Sequence, residues 1–197
     1  RVQSGSNVFI TGPGGTGKSH LIRCIVDWCK TKGKIVQVCA LTGCAALLLE
    51  CGAKTVHSWA GIGLANGPSN KTISLIGKHK YKSKPWRKVN VLIIDEISMM
   101  SKKLFEILDG IGRLARNTPH KPFGGIQIVL SGDFYQLPPV GDIDEPDSTA
   151  FCFESHLWKD DIDYTIELTT MFRQKDPMYV KALNQIRVGV MKRSSYE

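Results

Sequence analysis

The chain has 197 residues, of which 42% are hydrophobic and 22% are charged, a composition typical of a globular domain. No apolar run is long enough to cross a bilayer, so no membrane partner is expected, and no low-complexity segment or internal repeat is present. Lysine and arginine outnumber aspartate and glutamate by 26 to 18; the net charge of +8 favours a polyanionic partner, but only weakly.

Five short apolar runs predict β-strands along the chain. Two longer stretches, 20–32 and 101–116, carry apolar residues at helical spacing. Continuous apolar strands that alternate with helices predict an α/β fold with a mainly parallel sheet, covered by helices on both faces. The predicted strands are 8–10, 35–40, 91–94, 126–130 and 166–168.

Residues 12–19 form a complete phosphate-binding loop between the first strand and the first helix. Glycines let the main chain wrap closely around phosphate oxygens, Lys18 can reach the β- and γ-phosphates, and the Ser19 hydroxyl can ligate Mg²⁺. The complete eight-residue pattern in this context favours a nucleotide site over a flexible glycine-rich turn. The predicted nucleotide-binding residues are Gly12, Pro13, Gly14, Gly15, Thr16, Gly17, Lys18, Ser19 and His20.

Two adjacent acids, Asp95 and Glu96, follow the apolar strand 91–94. Asp95 can hold Mg²⁺, and Glu96 can orient and deprotonate an attacking water. Two acids at a strand end could also serve only as a helix cap. With a phosphate loop in the same chain, the catalytic interpretation is preferred, and the adjacent acids indicate hydrolysis rather than transfer to a small molecule.

Gln136 and Arg173 are candidates for contact with the γ-phosphate. Gln136 lies in the string 131–140, after a third buried strand, where an amide could report whether the γ-phosphate is present. The alternative is that Gln136 is an incidental amide in a proline-bearing loop. For Arg173, in the string 168–174, a phosphate contact and a plain surface charge are equally compatible with the residues alone.

Two segments could contact a nucleic acid. Residues 40–46 leave a strand and start a helix, so that Thr42 and Gly43 could bind a phosphodiester. Residues 55–61 offer Thr55, His57 and Ser58, although without the other motifs His57 and Trp59 are more simply interpreted as ordinary packing residues.

The segment 66–88 departs from the pattern of the core, because it is basic and poor in apolar periodicity. Tyr81 and Trp86 lie among its lysines and arginines. Basic groups can neutralise backbone phosphates and rings can stack on bases, but an exposed insertion kept soluble by lysines fits equally well.

Together these strings resemble the Pif-type DNA helicases, relatives of the RecD-like branch of superfamily one, over residues 7–189. The most specific stretches are 95–99, with Asp-Glu-Ile-Ser-Met, and 121–127, with Lys-Pro-Phe-Gly-Gly-Ile-Gln. The second of these leads into 132–139, which reads Gly-Asp-Phe-Tyr-Gln-Leu-Pro-Pro.

The resemblance implies a RecA-like P-loop motor lobe that uses ATP and Mg²⁺ to move 5′ to 3′ along single-stranded DNA. Such motors unwind duplexes, forks, RNA–DNA hybrids or G-quadruplexes, and a monomer is their default state. The resemblance also implies that Gln136 is the nucleotide sensor, that Arg173 is the arginine of the fourth motif, and that 64–88 is a small wedge subdomain. Thr42 and 55–58 match segments that touch the DNA strand.

The family pattern extends beyond this sequence in two respects. A glutamine that reads adenine is expected upstream of the loop, and Gln3 lies too close to the loop to fill that role. A second motor lobe with an arginine finger is expected after 186–189, so residues 1–197 alone should bind nucleotide weakly and hydrolyse it hardly at all. A ring-forming clamp-loader or remodelling ATPase, or a non-catalytic DNA-binding module, are the alternative functions.

Overall fold

The computed structural model describes residues 1–63, 67–174 and 176–190, and six strands in these residues form one sheet. Every pair of neighbouring strands is parallel, and the strand order is β3-β2-β4-β5-β1-β6. The predicted α/β class with a parallel sheet is therefore confirmed. The strands are β1 (Val8–Thr11), β2 (Val36–Ala40), β3 (Lys54–Thr55), β4 (Val91–Asp95), β5 (Gln127–Ser131) and β6 (Tyr164–Glu167).

Helices connect the strands. In the parts of the chain that the structure describes, none of them combines the length and the apolar character needed to cross a bilayer. The α-helices are α1 (Lys18–Thr31), α2 (Gly43–Leu48), α3 (Val56–Ala60), α4 (Ser69–Gly77), α5 (Lys84–Lys88), α6 (Lys102–Arg116), α7 (Pro146–Thr149), α8 (Trp158–Asp161) and α9 (Pro177–Arg187). Single 3-10 turns cover Val2–Ser4, Ile97–Met99, Pro122–Gly125 and Cys152–Glu154.

Apolar side chains of the central strands supply two cores, one on each face of the sheet. In β4, Leu92 and Ile94 point into the core formed with α6, whereas Val91 and Ile93 point into the core that contains α1. Successive side chains of a strand face opposite sides, so a strand that is apolar at every position must be covered twice. The continuous apolar runs in the sequence reflect this double burial.

The strand ends differ from the sequence prediction at the two edges of the sheet. The two-residue strand β3 was not predicted; it pairs with the end of β2 through Ala40 and Thr55. At the other edge β6 covers Tyr164–Glu167 instead of 166–168, and its residues are exposed. The residues of both edge strands are little buried, so their apolar pattern is weak and their boundaries are hard to read.

The basic segment between β3 and β4 forms α4 and α5, which pack on α6. Residues 64–66 of the predicted wedge lie outside the described residues. Trp86, one of the two rings considered for stacking on bases, is completely buried and is therefore not available for stacking. Its ring lies 4.6 Å from that of Trp59, and its Nε1–H donates to the carbonyl of Ala60. Tyr81, in contrast, is 71% exposed.

Candidate functional site

The phosphate loop leaves β1 at Thr11 and enters α1 at Lys18. Gly12, Gly15 and Gly17 have φ angles of 137°, 87° and 91°, which side chains with a Cβ rarely adopt. A Cβ on Gly12 would lie 2.3 Å from the Leu168 carbonyl oxygen. The glycines therefore provide both the curvature of the loop and the space for the segment that follows β6.

The Lys18 ammonium lies over its own loop. Its Nζ donates to the carbonyl oxygens of Gly12 at 2.6 Å and Pro13 at 3.1 Å. The Thr16 hydroxyl also donates to Pro13, at 2.8 Å, which holds the loop closed. A phosphate bound in the loop would compete with these carbonyls for the ammonium, since a charged acceptor makes the stronger hydrogen bond.

Strand order brings the acids to this lysine. β1, β5 and β4 are neighbours, so the residues at their carboxyl ends meet at one edge of the sheet, where α/β proteins bind ligands. Burial lowers the pKa of Lys18 below its ordinary value. Negative charges oppose that effect, and they belong to Asp133, Glu96 and Asp95. Lys18 therefore lies within electrostatic reach of the Asp-Glu pair.

Asp95 is the last residue of β4 and is only 5% exposed. Glu96 follows it with a left-handed backbone conformation, φ 57° and ψ 41°. Burial raises the pKa of Asp95, and burial together with the charge of Asp95 raises the pKa of Glu96. A left-handed non-glycine residue costs about 1–3 kcal/mol and is common at functional sites. Glu96 therefore combines a strained backbone with a partly buried carboxyl group near the charge of Lys18.

Hydroxyl and carboxylate oxygens suit Mg²⁺, and Ser19 and Asp95 offer them. Ser19 is exposed in the first turn of α1. Among the described residues no cluster of three or more histidine, cysteine, aspartate or glutamate side chains could hold a metal. Mg²⁺ often binds through one or two protein oxygens, phosphates and water, so this donor set fits it. His20, predicted at the nucleotide, is exposed and contacts Cys24 on the same helix, with 3.6 Å between Nε2 and Sγ.

Arg173 lies directly against the phosphate loop. The backbone N–H groups of Phe172 and Arg173 donate to the Gly15 carbonyl at 2.9 and 3.3 Å. A Cβ on Gly15 would come within 2.8 Å of the Arg173 Cβ. The exposed Arg173 side chain therefore starts at the loop, which favours the phosphate contact over a plain surface charge.

Gln136 is exposed at the end of a turn that follows β5, where its N–H donates to the Asp133 carbonyl at 2.8 Å. Asp133 was not predicted as a site residue, although it lies in the same string, 131–140, as Gln136. Asp133 is only 1% exposed, and Arg187 of α9 binds both of its carboxylate oxygens. An acid two residues after a buried strand was the available signal, whereas nothing local predicted the partner 54 residues away.

The predicted nucleic-acid contacts lie at the neighbouring part of the same edge. Thr42 and Thr55 are the N-caps of α2 and α3, and their hydroxyl oxygens accept N–H bonds at 3.2 and 3.3 Å. Gly43 and Ser58 are exposed, and a Cβ on Gly43 would meet open space. Burial lowers the pKa of the half-buried His57, which favours its neutral form.

A parallel α/β sheet with a phosphate loop after β1 and acids after β4 defines the chain as a RecA-like P-loop motor domain. The family model of the PIF1-like helicases matches residues 1–190. The chain therefore belongs to the PIF1-like helicase family, as its resemblance predicted.

Relatives in sequence and structure agree with that membership. The ATP-dependent DNA helicase RRM3 of Saccharomyces cerevisiae is 44% identical over 95% of this chain and 26% of its own length. The human ATP-dependent DNA helicase PIF1 is 38% identical over 95% of this chain and 28% of its own length. The crystal structure of Candida albicans Pif1 has a TM-score of 0.88 and 44% identity over 98% of this chain and 43% of its own.

A Bacteroides Pif1 solved in complex with ADP-AlF3 and single-stranded DNA has a TM-score of 0.78 at 32% identity, covering 96% of this chain and 44% of that chain. The present chain thus spans about a quarter of the length of the curated relatives it matches.

Proposed function

We propose that this chain is the nucleotide-hydrolysing lobe of an ATP-dependent DNA helicase that moves 5′ to 3′ along single-stranded DNA. The observation that carries the proposal is the meeting of Lys18, Asp95 and Glu96 at one sheet edge, beside a complete phosphate loop. The names of the relatives support it, as does the Bacteroides complex with a nucleotide analogue and single-stranded DNA.

The proposed nucleotide is ATP with Mg²⁺. Backbone N–H groups of the loop cradle the phosphates, Lys18 neutralises the β- and γ-oxygens, and Ser19 and Asp95 would hold the metal, which supplies charge neutralisation on the phosphate oxygens. The exposed Arg173 reaches the γ-phosphate from its position against Gly15.

Glu96 is the proposed general base. It orients the attacking water and accepts its proton, and a carboxyl pKa raised by burial makes it a better base than an exposed glutamate. Gln136, on the turn after β5, would contact the γ-phosphate and report its loss. Each of these side chains belongs to a loop that leaves the same sheet edge.

The proposed polymer partner is single-stranded DNA, with duplexes, forks or G-quadruplexes as substrates for unwinding. Thr42, Gly43, Thr55, His57 and Ser58 would contact its backbone, because their loops leave the paired strands β2 and β3 side by side. A second motor lobe of the same polypeptide would complete the strand path, and the proposed working unit is a monomer. One solved relative is described with two coordinating Pif1 helicases at forked DNA.

Family membership argues against the ring-forming clamp-loader or remodelling ATPase. The remaining alternative, a non-catalytic DNA-binding module, conflicts with the intact lysine and acid pair.

The test uses the full-length protein that contains this chain and three variants. Lys18→Ala should abolish Mg²⁺-dependent binding of a fluorescent ATP analogue. Glu96→Gln should still bind it, but hydrolyse ATP about 10²–10⁴ times more slowly in the presence of single-stranded DNA. Lys32→Ala removes an exposed lysine at the other end of α1 and should match the wild type.

Strand displacement on duplexes with a 5′ or a 3′ tail measures the polarity. A wild-type protein that releases no phosphate with DNA present would reject the proposed hydrolase. Hydrolysis without displacement on either substrate would reject the helicase while leaving the ATPase intact.

A further inference from the structure

The carboxylate of Asp133 is fully engaged by one residue of a distant helix and one backbone N–H. Oδ2 accepts from Arg187 Nε at 2.7 Å; Oδ1 accepts from Arg187 Nη2 at 2.8 Å and from the Tyr135 N–H at 3.2 Å. Burial alone would raise the pKa of Asp133, but these hydrogen bonds and the nearby charges of Arg187 and Lys18 outweigh it and lower the pKa. The pair is a two-pronged arginine–carboxylate contact, the strongest geometry for such pairs.

This contact fixes the turn that carries Gln136. The Gln136 N–H donates to the Asp133 carbonyl, and the Arg187 guanidinium lies 4.5 Å from the centre of the Tyr135 ring. Arg187 thus holds both the first and the third residue of the turn, by an ion pair and by a cation–π contact. The position of Gln136 depends on where Arg187 lies.

Arg187 is the last residue of α9, a helix on the outside of the molecule. Met178 and Ile186 of this helix are 76% and 60% exposed, and none of its residues is buried among those described. A surface helix with so little burial can shift at small cost, in contrast to the core strands. A shift of α9 would move the arginine that holds the sensor turn.

We infer that Arg187 is a positioning residue that couples the position of α9 to the turn that carries Gln136. When α9 withdraws, Asp133 loses its partner and the turn with Gln136 is released. The inference rests on the proposed function, since it concerns how hydrolysis responds to DNA.

The test measures the ATPase of the full-length protein with and without single-stranded DNA. Arg187→Gln should keep basal turnover and nucleotide affinity within about twofold, but lower the DNA-stimulated kcat at least tenfold, with little change in the KM for DNA. Arg187→Lys should recover only a small part of the stimulation, because an ammonium cannot form the two parallel bonds. Lys181→Gln removes an exposed charge from the same helix and should respond to DNA like the wild type.

A purely structural role would lower basal and stimulated turnover together, so the ratio of the two is the decisive quantity. Unchanged stimulation in Arg187→Gln, or full recovery in Arg187→Lys, would overturn the inference. If Arg187→Gln does not fold, Arg187→Lys alone decides, because it keeps the buried charge paired. A wild-type protein without any ATPase would refute the proposed function instead, which separates the two failures.

Discussion

At the scale of single residues, two buried carboxyl groups share one arginine away from the nucleotide site. Arg113 donates to Asp109 at 2.6 Å and to Asp161 at 3.2 Å, and Asp161 Oδ2 has no hydrogen-bond partner among the described residues. Burial, then the charge of Asp109, raises the pKa of Asp161 from an ordinary 3.8 to about 7. The folded chain therefore holds a proton that the unfolded chain loses.

This arrangement predicts a stability that depends on pH. The stabilising contribution of protonated Asp161 is complete below about pH 3.8 and is lost as the pH rises through about 7. Asp161→Asn, which resembles the protonated form, should be more stable than the wild type above pH 7 by roughly 1–3 kcal/mol, and the gain should shrink towards pH 5. Urea unfolding at several pH values measures it.

Asp160→Asn, at the exposed neighbouring position, is the control for that series and should change the free energy of unfolding by less than about 0.5 kcal/mol. A wild type that remains the more stable protein from pH 6 to pH 8 would contradict the assignment.

Single residues also show where sequence reasoning succeeds and fails. The phosphate loop, Lys18 and the acids after β4 were predictable, because their spacing is local and strand order then brings them together. The burial of Trp86 was not predictable from the local sequence, because it depends on Trp59, 27 positions away in the sequence, and on the docking of α5 against α6. Asp133 was missed for the same reason, since its partner lies in α9.

At the scale of elements, the turn Pro122–Gly125 lies within 121–127, one of the strings that resemble the Pif-type family. The contacts of this turn account for the residue types in that string. Phe123 and Gly124 both have positive φ angles, 49° and 66°. The Phe123 N–H donates to Asp109 of α6 at 2.7 Å, and its ring lies 5.4 Å from that of Phe105. This string is therefore a docking turn against α6 rather than a part of the nucleotide site.

The close approach of this turn to α6 predicts the effect of a single methyl group. Gly112→Ala would gain about 0.5–1 kcal/mol of helix stability, but its Cβ would lie 2.6 Å from the Phe123 carbonyl oxygen. The backbone at Phe123 cannot move locally to make room for this methyl group. We therefore expect a net loss of about 1–3 kcal/mol in the free energy of unfolding. The midpoint of guanidinium unfolding measures it.

Gly110→Ala, two residues earlier in α6, is the matched control. Its Cβ would meet the Ile73 Cδ1 atom at 2.6 Å, and the end of an isoleucine side chain can rotate away, so the loss should be smaller. Equal losses at the two positions would show that the turn itself yields.

Elements were otherwise well predicted wherever burial is double-sided. The predicted helix 101–116 agrees with α6 within one residue, and the predicted strands 91–94 and 126–130 agree with β4 and β5 within one residue at each end. The segment 66–88 was not assigned any helix, because α4 and α5 bury only a few residues each, such as Ile76 and Trp86. Short helices with a narrow buried face leave too little periodicity to detect.

At the scale of the whole molecule, the described residues hold one wall of the proposed nucleotide site. Lys18, the acid pair and Arg173 all lie near the carboxyl ends of strands at a single sheet edge, and apolar side chains of α9 are exposed. The curated relatives are about four times longer than the matched region. In the proposed two-lobe motor, the lobes would close around ATP, and loss of the γ-phosphate contacts would let them separate and move the strand by a small step.

If a second lobe supplies the other wall of the proposed site, residues 1–197 on their own should be a poor ATPase. An arginine supplied across the cleft is worth about 10³–10⁵ in rate, so the separate chain should turn over ATP slower than the full-length protein by a factor of that order. It should also bind nucleotide more weakly, since only one wall is present. Phosphate release with single-stranded DNA measures turnover, and the Lys18→Ala form of the same chain gives the background from contaminating enzymes. Equal turnover in the two proteins would mean that this lobe contains a complete hydrolytic site.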